Sequence, residues 1–261
     1  VKTGFGRGVR SPVLLAVISL VFCFLCASRA ASGRGPADHS SASPAQEQVI
    51  RFGRSAQGRP LLAFVLGQGT DETLILGGVH GNERSGPGVV EKLHIYLLQH
   101  PNEWLNRKVI LVPYANPDGW KAGTRVNARQ VDLNRNFPGT WKPSARKDRH
   151  SPGPSPASES ETRAIIGLLA RYSPAKVISI HQPLHLLNWT GPAGRHLAAV
   201  MARYNHYRIS NDIGYATPGA LGGYCGKRGI AIVTLEMPAG SVSQGWQQNR
   251  EALMAAITSK E

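Results

Sequence analysis

Three short apolar runs each stop at a side chain able to bind a metal or move a proton. Leu74 to Val79 leads into His80, Val177 to Ile180 into His181, and Ile230 to Leu235 into Glu236. Runs of this length, rich in Ile, Leu and Val, predict buried strands, and Gly77 and Gly78 predict a tight turn just ahead of His80. Val49 to Leu66 reads as one or two further strands broken at Gln57-Gly58-Arg59-Pro60, and Lys108 to Tyr114 as another before an Asn116-Pro117-Asp118-Gly119 turn. Helices are predicted from Ser85 or Gly86 to about Gln99, from Arg195 to Tyr207 and from Gln244 to Ile257. Another begins near Ser158, the expected N-cap, with Glu161 in capping-box spacing and Ile165, Leu168 and Leu169 on its apolar face. Strands alternating with helices predict an α/β fold.

In such folds ligands gather beyond the carboxyl ends of the strands, so His80, His181 and Glu236 are expected to converge there. Glu83 follows His80 by three residues, in a turn leading toward the first helix, and can face the same way. Two imidazoles and one carboxylate leave a fourth metal position open, which is the pattern of a catalytic zinc rather than of a closed structural site. Taken alone, His80-Gly81-Asn82-Glu83 also fits a loop histidine beside a solvated glutamate. Glu236, at a strand end closed by Pro238, has the position of a general base beside a metal-activated water, or of an ordinary surface carboxylate. Residues 123–138 have no apolar period and are expected to be loop. Their arginines and asparagines offer fixed donors, and the planar fork of an arginine matches a carboxylate in bidentate fashion. Arg129 fits a solvated position.

His80 to Glu83, Arg125 to Pro138, Ser158 to Thr162, His181 and Tyr215 to Glu236 occur in the order found in zinc carboxypeptidases of the carboxypeptidase A family. The chain resembles in particular their small bacterial murein peptide amidase branch, over most of its length after residue 46. That resemblance implies a single-domain mixed β-sheet flanked by helices and one zinc per chain, bound by His80, Glu83 and His181. It further implies Glu236 as general base, Arg125 as oxyanion stabiliser, Asn134 and Arg135 as the grip on a substrate carboxylate, and Tyr215 as a substrate-capping tyrosine. Asn82 departs from the family, which carries arginine or aspartate there. No aspartate suited to a basic side chain occurs between Tyr215 and Glu236, where Leu221 and Gly222 occupy the pocket region. The reaction implied is zinc-dependent hydrolysis of an amide next to a free carboxylate, foremost the γ-D-glutamyl to diaminopimelate bond of murein peptides. A conventional carboxypeptidase, an N-acyl amino-acid deacylase of the aspartoacylase type and an inactive binding module stay open as alternatives.

Outside this region the pattern changes. Lys2, Arg7 and Arg10 precede an apolar stretch from Val13 to Leu25, and small residues follow, so residues 1–30 read as a secretory signal peptide cleaved after Ala30, with an uncleaved membrane anchor as the alternative. Residues 31–46, rich in Ala, Ser, Gly and Pro, read as a flexible linker, and residues 47–261 as the catalytic domain. An exported, periplasmic or extracellular enzyme without stable membrane association after cleavage is expected. Loss of the leader leaves Cys225 alone, expected as a small packed thiol in a protein without disulfides. The leader holds Lys2, Arg7, Arg10 and Arg29 and no acid, so its removal takes the formal charge from +14 to +10. A strongly basic surface favours an anionic partner, but no nucleic-acid recognition motif accompanies it, and a peptide or murein-peptide substrate is the expected partner. The sequence leaves the oligomeric state undetermined. Residues 139–156, with several prolines and three basic side chains in Arg146-Lys147-Asp148-Arg149, are expected to form a surface excursion near the cleft.

Overall fold

A computed structural model of the protein describes residues 46–145 and 148–260. The expected signal peptide and all of the expected linker except Gln46 lie outside the described residues. The described chain builds one eight-stranded mixed sheet in the order β1-β2-β4-β3-β5-β8-β6-β7. Its strands are β1 (Glu47–Arg54), β2 (Pro60–Leu66), β3 (Asp71–Leu76), β4 (Arg107–Val112), β5 (Lys176–His181), β6 (Leu186–Thr190), β7 (Arg208–Ser210) and β8 (Ala231–Glu236). The helices are α1 (Ser85–Gln99), α2 (Pro117–Ala122), α3 (Ser160–Tyr172), α4 (Gly191–Asn205), α5 (Leu221–Gly226) and α6 (Val242–Thr258).

The centre of the sheet, β4-β3-β5-β8, is parallel. Both of its faces are covered, which is why these strands read as unbroken apolar runs rather than alternating ones. Successive side chains enter opposite cores. Ile75, Leu111, Ile178, Val233 and Leu235 pack with α1, α4 and α6, whereas Leu74, Leu76, Ile110, Val112, Val177 and Ile232 pack with α3 and α5. At the amino end of the parallel strands, fully buried Lys176 pairs with Asp71 (3.0 Å) and donates to the carbonyls of Ile257 and Ser259, tying the end of α6 to the sheet.

Three local expectations change. The Asn116 turn is the start of a helix, because the Asn116 side chain accepts from Gly119 N–H and Pro117 fits the first helical turn. Ser158 is not the N-cap of α3. Its hydroxyl is engaged by Asn136 Nδ2 and donates to Glu159 Oε1, Glu159 occupies the cap position, and Glu161 is drawn to Ala56 N–H and Asn127 Nδ2 instead. A capping box does form at α6, where Ser241 and Gln244 satisfy each other. β6, β7 and α5 are additions. β6 has only two buried apolar positions, and its place is fixed by antiparallel pairing along β8.

Candidate metal centre and cleft

The carboxyl ends of β3, β5 and β8 converge on a single point. His181 and Glu236 are register partners on β5 and β8 and so stand side by side. His80 arrives from the neighbouring β3 after a turn in which Gly78 adopts φ 63°, in the left-handed region expected of glycine. Gly81 has a separate reason to be glycine, since a Cβ there would fall 1.9 Å from the Gly119 carbonyl carbon of α2. That close approach presses the His80 to Glu83 turn against the body of the protein.

All three predicted ligand side chains are buried, and their ligand atoms lie within 4.8 Å of one another. His80 Nδ1 lies 2.7 Å from Glu83 Oε1, His181 Nδ1 lies 2.9 Å from Glu83 Oε2, and the two Nδ1 atoms face each other at 3.0 Å. Tetrahedral zinc with bonds of roughly 2.0–2.1 Å sets its donors about 3.3 Å apart, close to these separations. The far ring nitrogens are also fixed, His80 Nε2 by Asp132 Oδ1 at 3.0 Å and His181 Nε2 by Ser179 Oγ at 2.9 Å. Holding Nε2 in this way directs Nδ1 to the metal position and makes the ring a better donor. Gln182 N–H supports Glu83 Oε2 at 3.2 Å.

The electrostatics favour a cation at this point. Burial pulls the His80 imidazole down, but Glu83 and Asp132 outweigh it and raise it to about 9. Burial likewise pushes Glu83 up, and the two histidines overcome this to hold it well below the usual carboxylate range. The donor set is therefore two histidines and an ionised carboxylate, buried and oriented from behind, and it fits zinc.

Around this centre runs a cleft of about 600 Å³ that includes every residue singled out as catalytic or substrate-binding. Glu236 is buried on its floor. Burial raises its carboxyl, His181 opposes this, and Oε2 has no hydrogen-bond partner among the described residues. Arg125 places Nε and Nη2 on Asp132 Oδ2 at 3.0 and 2.9 Å, with Nη1 3.6 Å from Glu83. Asn134 Oδ1 accepts from Leu221 N–H. Arg135 is 6% exposed, donates to the Asn134 carbonyl and has no carboxylate within ion-pair distance among the described residues. Tyr215 is 54% exposed, opposite Arg135 on a loop whose Gly219 carbonyl accepts from Phe137 N–H. Asn82 is exposed at the rim, Arg129 is largely solvated, and Cys225 is buried within α5 with its thiol pushed up to about 12 by burial.

Sequence reasoning passed over Asp132, Ser179 and Gln182. Asp132 carried a usable signal. It is the sole acid in residues 123–138, and a ligating histidine needs an acceptor behind it. Ser179 and Gln182 gave no signal apart from their nearness to His181.

The profile of the zinc carboxypeptidase family matches residues 38–259. The chain belongs to the zinc carboxypeptidase family. It is 33% identical over 219 residues to a murein peptide amidase A of Vibrio campbellii, covering 79% of this chain and 86% of that one. It is also 36% identical over 200 residues to murein peptide amidase A of Escherichia coli K12, covering 72% and 80%. The crystal structure of a murein-tripeptide amidase from Escherichia coli O157 superposes with a TM-score of 0.69 at 29% identity, over 84% of this chain and 99% of that one. As a member of this family the protein is a zinc metallopeptidase or amidase, with the mixed sheet and flanking helices of its solved relatives.

Proposed function

We propose that this zinc carboxypeptidase family member hydrolyses the γ-D-glutamyl to diaminopimelate amide of murein peptides. The observation that carries the reading is a buried arginine, Arg135, with no ion pair among the described residues, in the same cleft as a three-ligand metal centre and a buried Glu236. A desolvated guanidinium is costly to leave alone and is satisfied by a carboxylate held in bidentate fashion. The substrate bond is therefore one next to a free carboxylate, and the similarity to murein peptide amidases of two genera favours murein peptides.

His80, Glu83 and His181 would hold the zinc, which would supply Lewis acidity at the cleft floor. Glu236 Oε2, unpartnered among the described residues, takes the proton of the attacking water and returns it to the leaving amine. Its raised affinity for a proton suits both halves of that task. Arg125 directs N–H groups to the oxyanion as charge builds there, and its ion pair with Asp132 holds it in place beforehand. Asn134 and Arg135 orient the substrate carboxylate, and Tyr215 closes over it from the solvent side. Residues 47–261 form the catalytic domain in this reading. Residues 1–30 direct export and are removed after Ala30, and residues 31–46 serve as the linker, on the strength of the basic start and short apolar stretch.

Incubation of L-Ala-γ-D-Glu-diaminopimelate with the purified protein should release free diaminopimelate, detected by mass spectrometry. Family membership favours one second reading, a conventional carboxypeptidase acting on α-linked C-terminal residues. A higher kcat/KM for an α-linked peptide than for the tripeptide would select that reading. Amino-terminal sequencing of the protein from a periplasmic or culture fraction should begin at Ala31.

A further inference from the structure

Beyond Arg135 the cleft opens into a second cavity of about 560 Å³, bounded mainly by residues 142–144, Arg149, His150, Pro152 and the Tyr215 loop. Arg135, Arg149, His150 and Tyr215 line both spaces, so the two are continuous. Among the described residues lining the second cavity the charged side chains are Arg135, Lys142 and Arg149, while Asp132 and Asp148 act on Arg135 and His150 from outside the lining. Neither Lys142 nor Arg149 makes an ion pair among the described residues, and both side chains are exposed on this wall. His150 is held toward its neutral form, by burial first and by Arg125 second, and so offers a hydrogen bond rather than a further charge.

The wall carrying these groups is built into the protein at several points. Asp132 N–H donates to Ser151 O, Trp141 Nε1 and Asn136 Nδ2 both donate to Pro152 O, and Thr140 Oγ1 accepts from Gly219 N–H. Pro143, Pro152 and Pro218 stiffen the same rim. Three like charges kept around one cavity repel each other, and an anion placed among them relieves that repulsion.

We propose that this cavity is a second carboxylate subsite, in which Arg149 and Lys142 bind an acidic group of the substrate's terminal residue while Arg135 binds the carboxylate beside the scissile bond. The ligand class is a terminal residue bearing two carboxylates on one chain. The inference deepens the amidase reading and rests on it for the substrate, but the cavity can be tested apart from the reaction.

A matched pair of substrates isolates the second carboxylate. L-Ala-γ-D-Glu-diaminopimelate and L-Ala-γ-D-Glu-L-lysine share backbone, amine and chain length, and differ at the far carbon by one carboxylate. Arg149→Gln combined with Lys142→Gln should raise KM for the diaminopimelate tripeptide about fivefold to tenfold, with kcat little changed, as expected of charge-assisted contacts at a partly solvated site remote from the bond. The same variant should leave the lysine tripeptide within twofold of the unmodified enzyme. Equal losses on both substrates, or none on either, would overturn the subsite. Should the unmodified enzyme cleave neither tripeptide, the amidase reading fails by itself. The two tripeptides then serve as competitive inhibitors of an α-linked carboxypeptidase substrate, and a ratio of their Ki values unaltered by the double substitution overturns the subsite independently.

Discussion

The floor of the cleft and its wall are made in different ways. The floor is the end of the parallel sheet. His80, Glu83, His181 and Glu236 are buried there, fixed by ladder pairing and by partners behind them. The wall, residues 123–145 and 148–156 with the loop around Tyr215, is held by side-chain and turn hydrogen bonds and ends in exposed groups such as Arg149 and Tyr215. A rigid floor suits chemistry that tolerates little displacement, and a wall of loops suits the reading of a substrate. Substitutions in the floor should therefore act on metal and turnover, and those in the wall on KM and on choice of substrate.

The strongest break is at the metal. His181→Ala leaves two ligands, so plasma mass spectrometry should find most of the zinc gone and turnover lost with it. Zinc equal to that of the parent would remove His181 from the ligand set. Glu236→Gln keeps shape and metal but removes the proton acceptor, and kcat should fall by about 10²–10⁴. A variant still turning over normally with zinc bound would move the base elsewhere.

Asp132→Asn probes the boundary between floor and wall, because Asp132 both orients His80 and pairs with Arg125. Competition with a chelator should show zinc affinity lowered about tenfold to a hundredfold, the range for groups that support a metal ligand. Within the wall, Arg135→Lys replaces a planar fork by a point charge and should raise KM roughly tenfold with zinc content unchanged. A fall confined to kcat would place Arg135 in the chemistry rather than in binding.

The smallest effect lies under the wall, at Cys225. Burial raises its thiol from 9.0 to about 12, and Arg228 opposes the shift only in part. The unfolded thiol loses its proton first, so this contribution to stability is complete below pH 9 and declines as pH rises from there toward 12. Urea unfolding at pH 8 and pH 10 should show a larger loss for the parent than for Cys225→Ala, and iodoacetamide should label Cys225 only after unfolding. Labelling of the native protein at the rate of a free thiol would show that α5 does not shield it.

Much of this contrast could already be read along the chain. Parallel strands buried on both faces need continuous apolar runs, so β3, β5 and β8 announced themselves, and a polar group just past such a run can only stand at the end of the sheet. His80, His181 and Glu236 were visible for that reason, and Glu83 by its spacing from His80. The capping box expected at Ser158 failed because a cap is a local choice that tertiary partners can outbid. Asn136 took the Ser158 hydroxyl, and Ala56 with Asn127 took Glu161. β6, with two buried positions, exists because β8 offers an edge to pair with.

By itself, then, the sequence determined the strands, the main helices and the kinds of side chain at their ends, since periodicity and residue chemistry are properties of a single segment. Only the tertiary structure decided that Asp132 would stand behind His80 across 52 positions, that Arg135 would be buried beside the metal centre without an ion pair, and that Arg149 and Lys142 would face one cavity. Those arrangements depend on distances between segments with no shared period, and such distances are fixed by packing the loops onto a completed sheet.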